Sequence, residues 1–211
     1  MKIYLASGNK NKKREMSEIL LPHTIVTPQD EGIDFEPEET GSTFYENSLI
    51  KARDLYSKVH APVLADDSGL CVDALGGIPG IYSSRYAGPD FPQGNPLGEK
   101  ISQDAQNRFL LEQLNNALKN FPNGKRTAHY VCAMVLYLGS DRLFVAQETM
   151  EGTLVNCIEE ARGNGGFGYD PIFIPLGYNV TAAELSSEQK NAISHRGKAV
   201  RIIQKLAEGL L

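Results

Sequence analysis

TAHYVCAMVLYLGSDRLFVAQETM, running from Thr127 to Met150, decides the fold. Its halves, Thr127 to Leu138 and Arg142 to Met150, are apolar, β-branched and aromatic. Gly139-Ser140-Asp141 between them is a turn, so the stretch reads as a β-hairpin. Upstream, strands and helices alternate. Ile3-Tyr4-Leu5-Ala6 reads as a short buried strand. Residues 11 to 21 read as a helix with Met16, Ile19 and Leu20 on its apolar face. A short strand follows at Ile25-Val26. Thr43 with Glu46 forms a capping box. The helix it opens carries Phe44, Leu49, Ala52, Tyr56 and Val59 on one side. Downstream, Asn95-Pro96 marks the start of a helix reaching about Lys119. Ser186 with Gln189 marks a short helix. Ser194 caps a final helix, with Ala199, Val200, Ile203 and Leu206 apolar. Alternation followed by a hairpin gives an α/β fold, with a mixed sheet flanked by helices. Residues 30–41, 76–80, 87–98 and 163–171 read as loops. No internal repeat, low-complexity segment or linker interrupts the 211 residues, so 1–211 reads as a single domain.

Hydrophobic content of 41% and charged content of 22% are ordinary for a globular protein. A net charge of -5 argues against broad binding of DNA or RNA, while a small nucleotide needs only a local basic pocket. Cys71, Cys132 and Cys157 are odd in number, lie far apart and form no CxxC pair. With no signal sequence, the expectation is buried free thiols and the cytoplasm. No apolar run approaches the roughly 20 residues of a membrane-spanning helix.

Ala65-Asp66-Asp67-Ser68-Gly69 lies between the apolar runs Val63-Leu64 and Leu70-Cys71-Val72. It reads as strand, tight loop, strand. Adjacent carboxylates beside a hydrophobic strand call for a partner, and a hard divalent cation such as Mg²⁺ is the usual one. Ser7-Gly8-Asn9-Lys10-Asn11-Lys12 joins a strand to a helix. Backbone N–H groups and lysines there attract phosphate, although the segment reads equally as a solvated helix start. Gly163-Asn164-Gly165-Gly166-Phe167-Gly168 matches GxGxxG but opens no helix, so it is no dinucleotide fingerprint. It reads instead as a loop presenting Phe167 and Tyr169 to a base, or as two aromatics covering core. Lys190-Asn191-Ala192-Ile193-Ser194-His195-Arg196 gathers donors suited to an acceptor-rich ligand, or forms a solvated basic patch. Lys51, Arg53 and Lys58 lie on the helix after the acidic segment, and Lys51 matters if that helix faces a pocket. His23, His60 and His129 have no metal-site spacing.

Taken in order, Ser7-Gly8-Asn9 with Lys12, Glu38-Glu39-Thr40-Gly41, Asp66-Asp67-Ser68-Gly69, Gly166 to Pro171 and Ser194-His195-Arg196 resemble the inosine triphosphate pyrophosphatases. These are the Ham1/RdgB-like non-canonical purine nucleoside triphosphate pyrophosphatases. The segment Gly77 to Gly88 resembles the bacterial branch. The likeness runs from Ile3 to about Lys198. It implies a long mixed sheet, two lobes around a cleft, a homodimer and Mg²⁺-dependent hydrolysis of ITP, dITP and XTP to monophosphate and pyrophosphate. Asp67 matches the general base. Glu39 matches a metal ligand, with Glu38 the alternative in register and Asp67 close to the metal. Ser7, Gly8, Asn9, Lys10, Asn11, Lys12 and Lys51 match the surroundings of the triphosphate. Ser68 would contact substrate beside the base.

By the same resemblance Phe167 stacks on the purine. Gly168, Tyr169, Asp170, Lys190, His195 and Arg196 surround the base edge and ribose. Lys190 and Arg196 would donate to the 6-keto group of hypoxanthine or xanthine and find no acceptor on adenine. Mispaired buried polar groups can discriminate by a factor of order 10⁴. Guanine shares the 6-keto group, so its rejection needs a separate cause at the 2-amino group. Two other readings stand beside this one. One is a metal-dependent phosphatase releasing orthophosphate, and the other is a nucleotide-binding module without catalysis.

Overall fold

The computed structural model describes residues 1–88, 101–121, 123–139 and 142–208. Six strands form one sheet in the order β2-β1-β3-β4-β5-β6. They are β1 (Lys2–Leu5), β2 (Thr24–Val26), β3 (Val63–Val72), β4 (Thr127–Tyr137), β5 (Leu143–Leu154) and β6 (Phe173–Pro175). β1 runs parallel to β2 and β3, whereas β5 and β6 are antiparallel, so the sheet is mixed as expected. Among the described residues the helices are α1 (Lys10–Ile19), α2 (Phe44–Val59), α3 (Gln103–Asn120), α4 (Ser187–Ile193) and α5 (His195–Leu206).

The chain divides into two compact units. The first comprises Met1–Ser68, Val131–Thr149 and Asn191–Leu211, and the second comprises Gly69–Tyr130 and Met150–Lys190. In the first unit the sheet is buried on both faces, and strand parity assigns each residue to a face. Ile3, Leu5, Leu64, Cys132, Met134 and Leu136 join a core with Met16 and Leu20 from the first helix segment and Ala199, Val200 and Ile203 of α5. Tyr4, Ala6, Val63, Ala65 and Val135 point the other way, into a core with Ala52 and Leu55 of α2. In the second unit, α3 buries Leu110, Leu111 and Leu114, and the Tyr130 and Phe173 rings meet edge to face at 4.9 Å.

Several local expectations hold. Thr43 and Glu46 form a reciprocal capping box, and Ser194 Oγ accepts the Gly197 N–H at 3.0 Å. The hairpin closes with the Leu138 N–H donating to the Arg142 carbonyl at 2.8 Å, while Ser140 and Asp141 lie outside the described residues. Others are corrected. Val63–Val72 is one unbroken ten-residue strand with no tight loop inside it. Apolar residues on both flanks keep the ladder intact, so the two aspartates ride within the strand. Asn95, Pro96 and most of 87–98 lie outside the described residues. Ile101 and Ser102 are not helical, and Ser102 caps α3 by accepting the Ala105 N–H. β5 runs four residues beyond Met150, where Gly152–Leu154 pair with β6. Leu206 is exposed at the end of α5. Of the expected apolar side of α2, Ala52 is buried and Leu49, Tyr56 and Val59 pack against its core, while the buried residues also include the polar Asn47, Ser48 and Lys51.

Candidate active site

Parity in β3 explains where its two carboxylates go. Asp66 shares the face of Leu64, toward α1 and α5, and Asp67 shares the face of Val63 and Ala65, toward α2. Adjacent in sequence, they take different hydrogen-bond partners, although the charges of Lys12 and Lys51 act on both.

On the α2 face, Lys51 Nζ donates to Asp67 Oδ1 at 3.2 Å and to Glu39 Oε1 at 2.9 Å. Asn47 Nδ2 donates to Asp67 Oδ2 at 3.3 Å. Ser48 Oγ donates to the Ala65 carbonyl at 3.0 Å, pinning α2 to β3. Burial pushes the Asp67 carboxyl above its usual range, with Lys51 and Lys12 offsetting only part of that push. Burial opposes the charge on Lys51, but Asp67, Glu39 and Asp66 outweigh it and raise its pKa. Glu38 is exposed and does not join this cluster.

On the opposite face, Asp66 Oδ2 meets Lys12 Nζ at 2.9 Å, and it accepts from Arg196 Nε and Ser68 Oγ, each at 3.2 Å. Arg196 also donates to Glu15 Oε2 at 2.6 Å and to Ser68 Oγ at 2.9 Å. Burial alone would raise the Asp66 carboxyl, yet Lys12, Arg196 and Lys51 together hold it below the ordinary carboxylate range. Its Oδ1 has no hydrogen-bond partner among the described residues. Arg196 therefore anchors a buried ionic cluster and also bonds Ser68, the residue expected to contact substrate. Ser194-His195-Arg196 are neighbours in sequence, but successive helical residues project about 100° apart. His195, the first residue of α5, is buried.

The Ser7–Lys12 segment joins β1 to α1 as expected. Asn9 caps α1 by accepting from the N–H groups of Asn11 and Lys12, and Ser7 Oγ accepts the Asn9 N–H at 3.1 Å. The first turn of α1 carries no acidic residue, and Gly8 and Lys10 are exposed.

In the second unit, the GxGxxG stretch is an irregular loop that leads into a short 3-10 turn at Asp170–Ile172. Asp170 is its organiser. Oδ2 accepts from Lys190 Nζ at 2.6 Å and from the Phe167 N–H at 2.7 Å, and Oδ1 accepts from the Tyr130 hydroxyl at 3.2 Å. Lys190 Nζ lies 5.0 Å from the Phe167 ring centroid, within cation–π range. Gly166 has φ +67°, and a Cβ there would lie 2.1 Å from Asp170 Oδ2, so only glycine fits. The Gly168 carbonyl accepts from Asn107 Nδ2 at 3.5 Å. Tyr169 is buried, with its hydroxyl donating to the Ser83 carbonyl at 2.9 Å. Its buried ring fits the second of the two readings of this aromatic, the one that covers core.

Asn47, Glu15 and Tyr130 are partners of these side chains that the sequence reading did not single out. Asn47 carried a signal, since it sits four residues before Lys51 and therefore on the same helical face. Asp67 and Glu39 fit a magnesium ion by donor chemistry. Both carboxylates already converge on one positive charge, and Mg²⁺ is commonly held by one or two carboxylates, with phosphates and water completing its shell. Among the described residues, no group of three or more His, Cys, Asp or Glu forms a metal cage.

The profile of the Ham1 family matches residues 3–206. A dITP/XTP pyrophosphatase of Treponema denticola is 53% identical over 99% of this chain and 100% of its own length. A dITP/XTP pyrophosphatase of Aquifex aeolicus is 44% identical over 95% of this chain and 94% of its own. Among solved structures, a HAM1 protein from Coxiella burnetii superposes with a TM-score of 0.82 at 36% identity, covering 99% of both chains. The Staphylococcus aureus Ham1 protein gives 0.79 at 36% identity over 100% of both. With the family's profile spanning nearly the whole sequence, and relatives of matching length and fold, this chain belongs to the Ham1 family.

Proposed function

We propose that this protein is a single-domain enzyme that hydrolyses dITP, XTP and ITP to the nucleoside monophosphate and pyrophosphate. The observation that carries the reading is the buried Asp67 carboxylate, raised above its usual range and held between Lys51 and Asn47 beside Glu39. A general base works best when its pKa moves toward the working pH. Water cleaves the anhydride between the α- and β-phosphoryl groups, and its proton passes to an Asp67 carboxylate oxygen. Lys51, Lys12, Lys10 and the start of α1, with Ser7, Gly8, Asn9 and Asn11, supply positive charge and donors for the triphosphate. Asp67 and Glu39 would hold magnesium, which would neutralise phosphoryl charge and acidify water.

Selectivity is assigned to the second unit's cluster. Phe167 stacks on the base and Lys190 donates to a 6-keto oxygen, with Gly168 and Asp170 shaping the loop around them. His195 serves the ribose or base edge. Arg196 supports Ser68 from behind rather than reading the base. The protein acts as a homodimer in the cytoplasm, an assignment that rests on the family resemblance and accords with its three free cysteines.

Asp67→Asn keeps the size and the Lys51 contact but cannot accept the proton. Its kcat for dITP should fall by about 10²–10⁴ with the fold intact. Undiminished turnover would remove Asp67 from the role of base.

A further inference from the structure

The α2 face grips both oxygens of Asp67. Lys51 takes Oδ1 and Asn47 takes Oδ2, and the two residues stand one helical turn apart. Asn47 is 0% exposed, and its other end accepts the Gly41 N–H at 2.8 Å. Its amide has one workable orientation. A backbone N–H only donates, so Oδ1 must face Gly41, and Nδ2 then faces a carboxylate that only accepts. Gly41 follows Glu39 by two residues. A Cβ on Gly41 would lie 2.7 Å from Asn47 Oδ1 and 2.9 Å from Asn47 N, so this segment sits as close to α2 as the backbone permits. Glu39 in turn reaches Lys51.

We propose that Asn47 is a positioning residue. It fixes the rotation of the Asp67 carboxylate and ties it to the Glu39–Gly41 segment, so that base and acidic ligand share one frame. The inference rests on the pyrophosphatase reading and adds to it a residue that does not touch substrate. A carboxylate gripped at one oxygen can turn about Cβ–Cγ, and a donor on the second oxygen removes that freedom. Displacement of a reacting group by ~1 Å costs about 10²-fold in rate.

Two variants separate positioning from loop support. Asn47→Asp keeps an acceptor for Gly41 and loses the donor to Asp67, while Asn47→Ala loses both. Gly41 amide exchange is read without substrate, and kcat and KM are read with dITP. In Asn47→Asp we expect Gly41 protection within about threefold of wild type, kcat lower by about 10–100-fold and KM within about threefold. Asn47→Ala should lose both Gly41 protection and kcat. A folded variant of either kind that keeps kcat within about twofold overturns the proposal. So does an Asn47→Asp protein that loses Gly41 protection along with kcat, because loop displacement then accounts for the loss. Should Asn47→Asp not fold, Asn47→Ala decides by its split: kcat lower with KM within about threefold supports positioning, whereas KM raised along with it, or kcat unchanged, overturns it. A wild type that releases no pyrophosphate would overturn the functional reading itself, an outcome that Gly41 exchange does not depend on.

Discussion

A side chain on a strand meets whatever packs against its own face, and its sequence neighbour meets the other face. Asp66 therefore faces Lys12 and Arg196, and Asp67 faces Lys51 and Asn47. The environments divide accordingly, with Asp66 in a buried ionic cluster and Asp67, the proposed base, against α2. Asp66→Asn should cost on the order of 3 kcal/mol at neutral pH, because Lys12 and Arg196 lose a buried counter-charge. The sign of the pH dependence follows from the depressed Asp66 pKa. Its stabilisation is present above the unfolded value near ~4 and is lost as the pH falls through the folded value. Urea unfolding should show the gap between wild type and Asp66→Asn shrinking as the pH drops below about 4. A gap independent of pH would mean that Asp66 is not held ionised by its neighbours. The identity of both aspartates was legible in the sequence. Their separation was not, because the Ser68-Gly69 pair mimics a turn and disguised an unbroken strand.

At the scale of elements, α2 does most to position the site. Its caps were legible, since Thr43 and Glu46 obey a local rule. Its apolar side was legible too, with Ala52 buried and Leu49, Tyr56 and Val59 against the core, but a search for apolar residues passes over the buried Asn47, Ser48 and Lys51. Leu55 is fully buried beside Ala52. Leu55→Ala should destabilise the protein by about 2–5 kcal/mol, whereas Phe44→Ala, half-buried in the first turn, should cost clearly less. Thermal melts of the two variants check the order, and equal costs would mean that Leu55 is no more part of the core than Phe44. The glycine loop behaves similarly. Gly166→Ala forces a strained φ and drives a methyl into Asp170, so it should displace Lys190 and weaken selection for dITP over dATP. Kinetics on the two substrates measure that ratio, and an unchanged ratio would separate the Asp170–Lys190 pair from base selection.

For the molecule as a whole, the mixed sheet followed from local patterns, an alternating N-terminal half and then a long hairpin. The family followed from weak motifs in a fixed order, a signal that no single motif carried. Partnerships between distant residues, such as Arg196 with Glu15 or Asp170 with Tyr130, depend on tertiary packing and have no local signature. The central claim is one of reaction and substrate class, and the products report it. Purified protein with Mg²⁺ would be given dITP, XTP, dATP and dGTP separately, and the products resolved. The account predicts pyrophosphate and monophosphate, formed far faster from dITP and XTP than from dATP or dGTP. Orthophosphate with a diphosphate product, or equal rates from dITP and dATP, would contradict it.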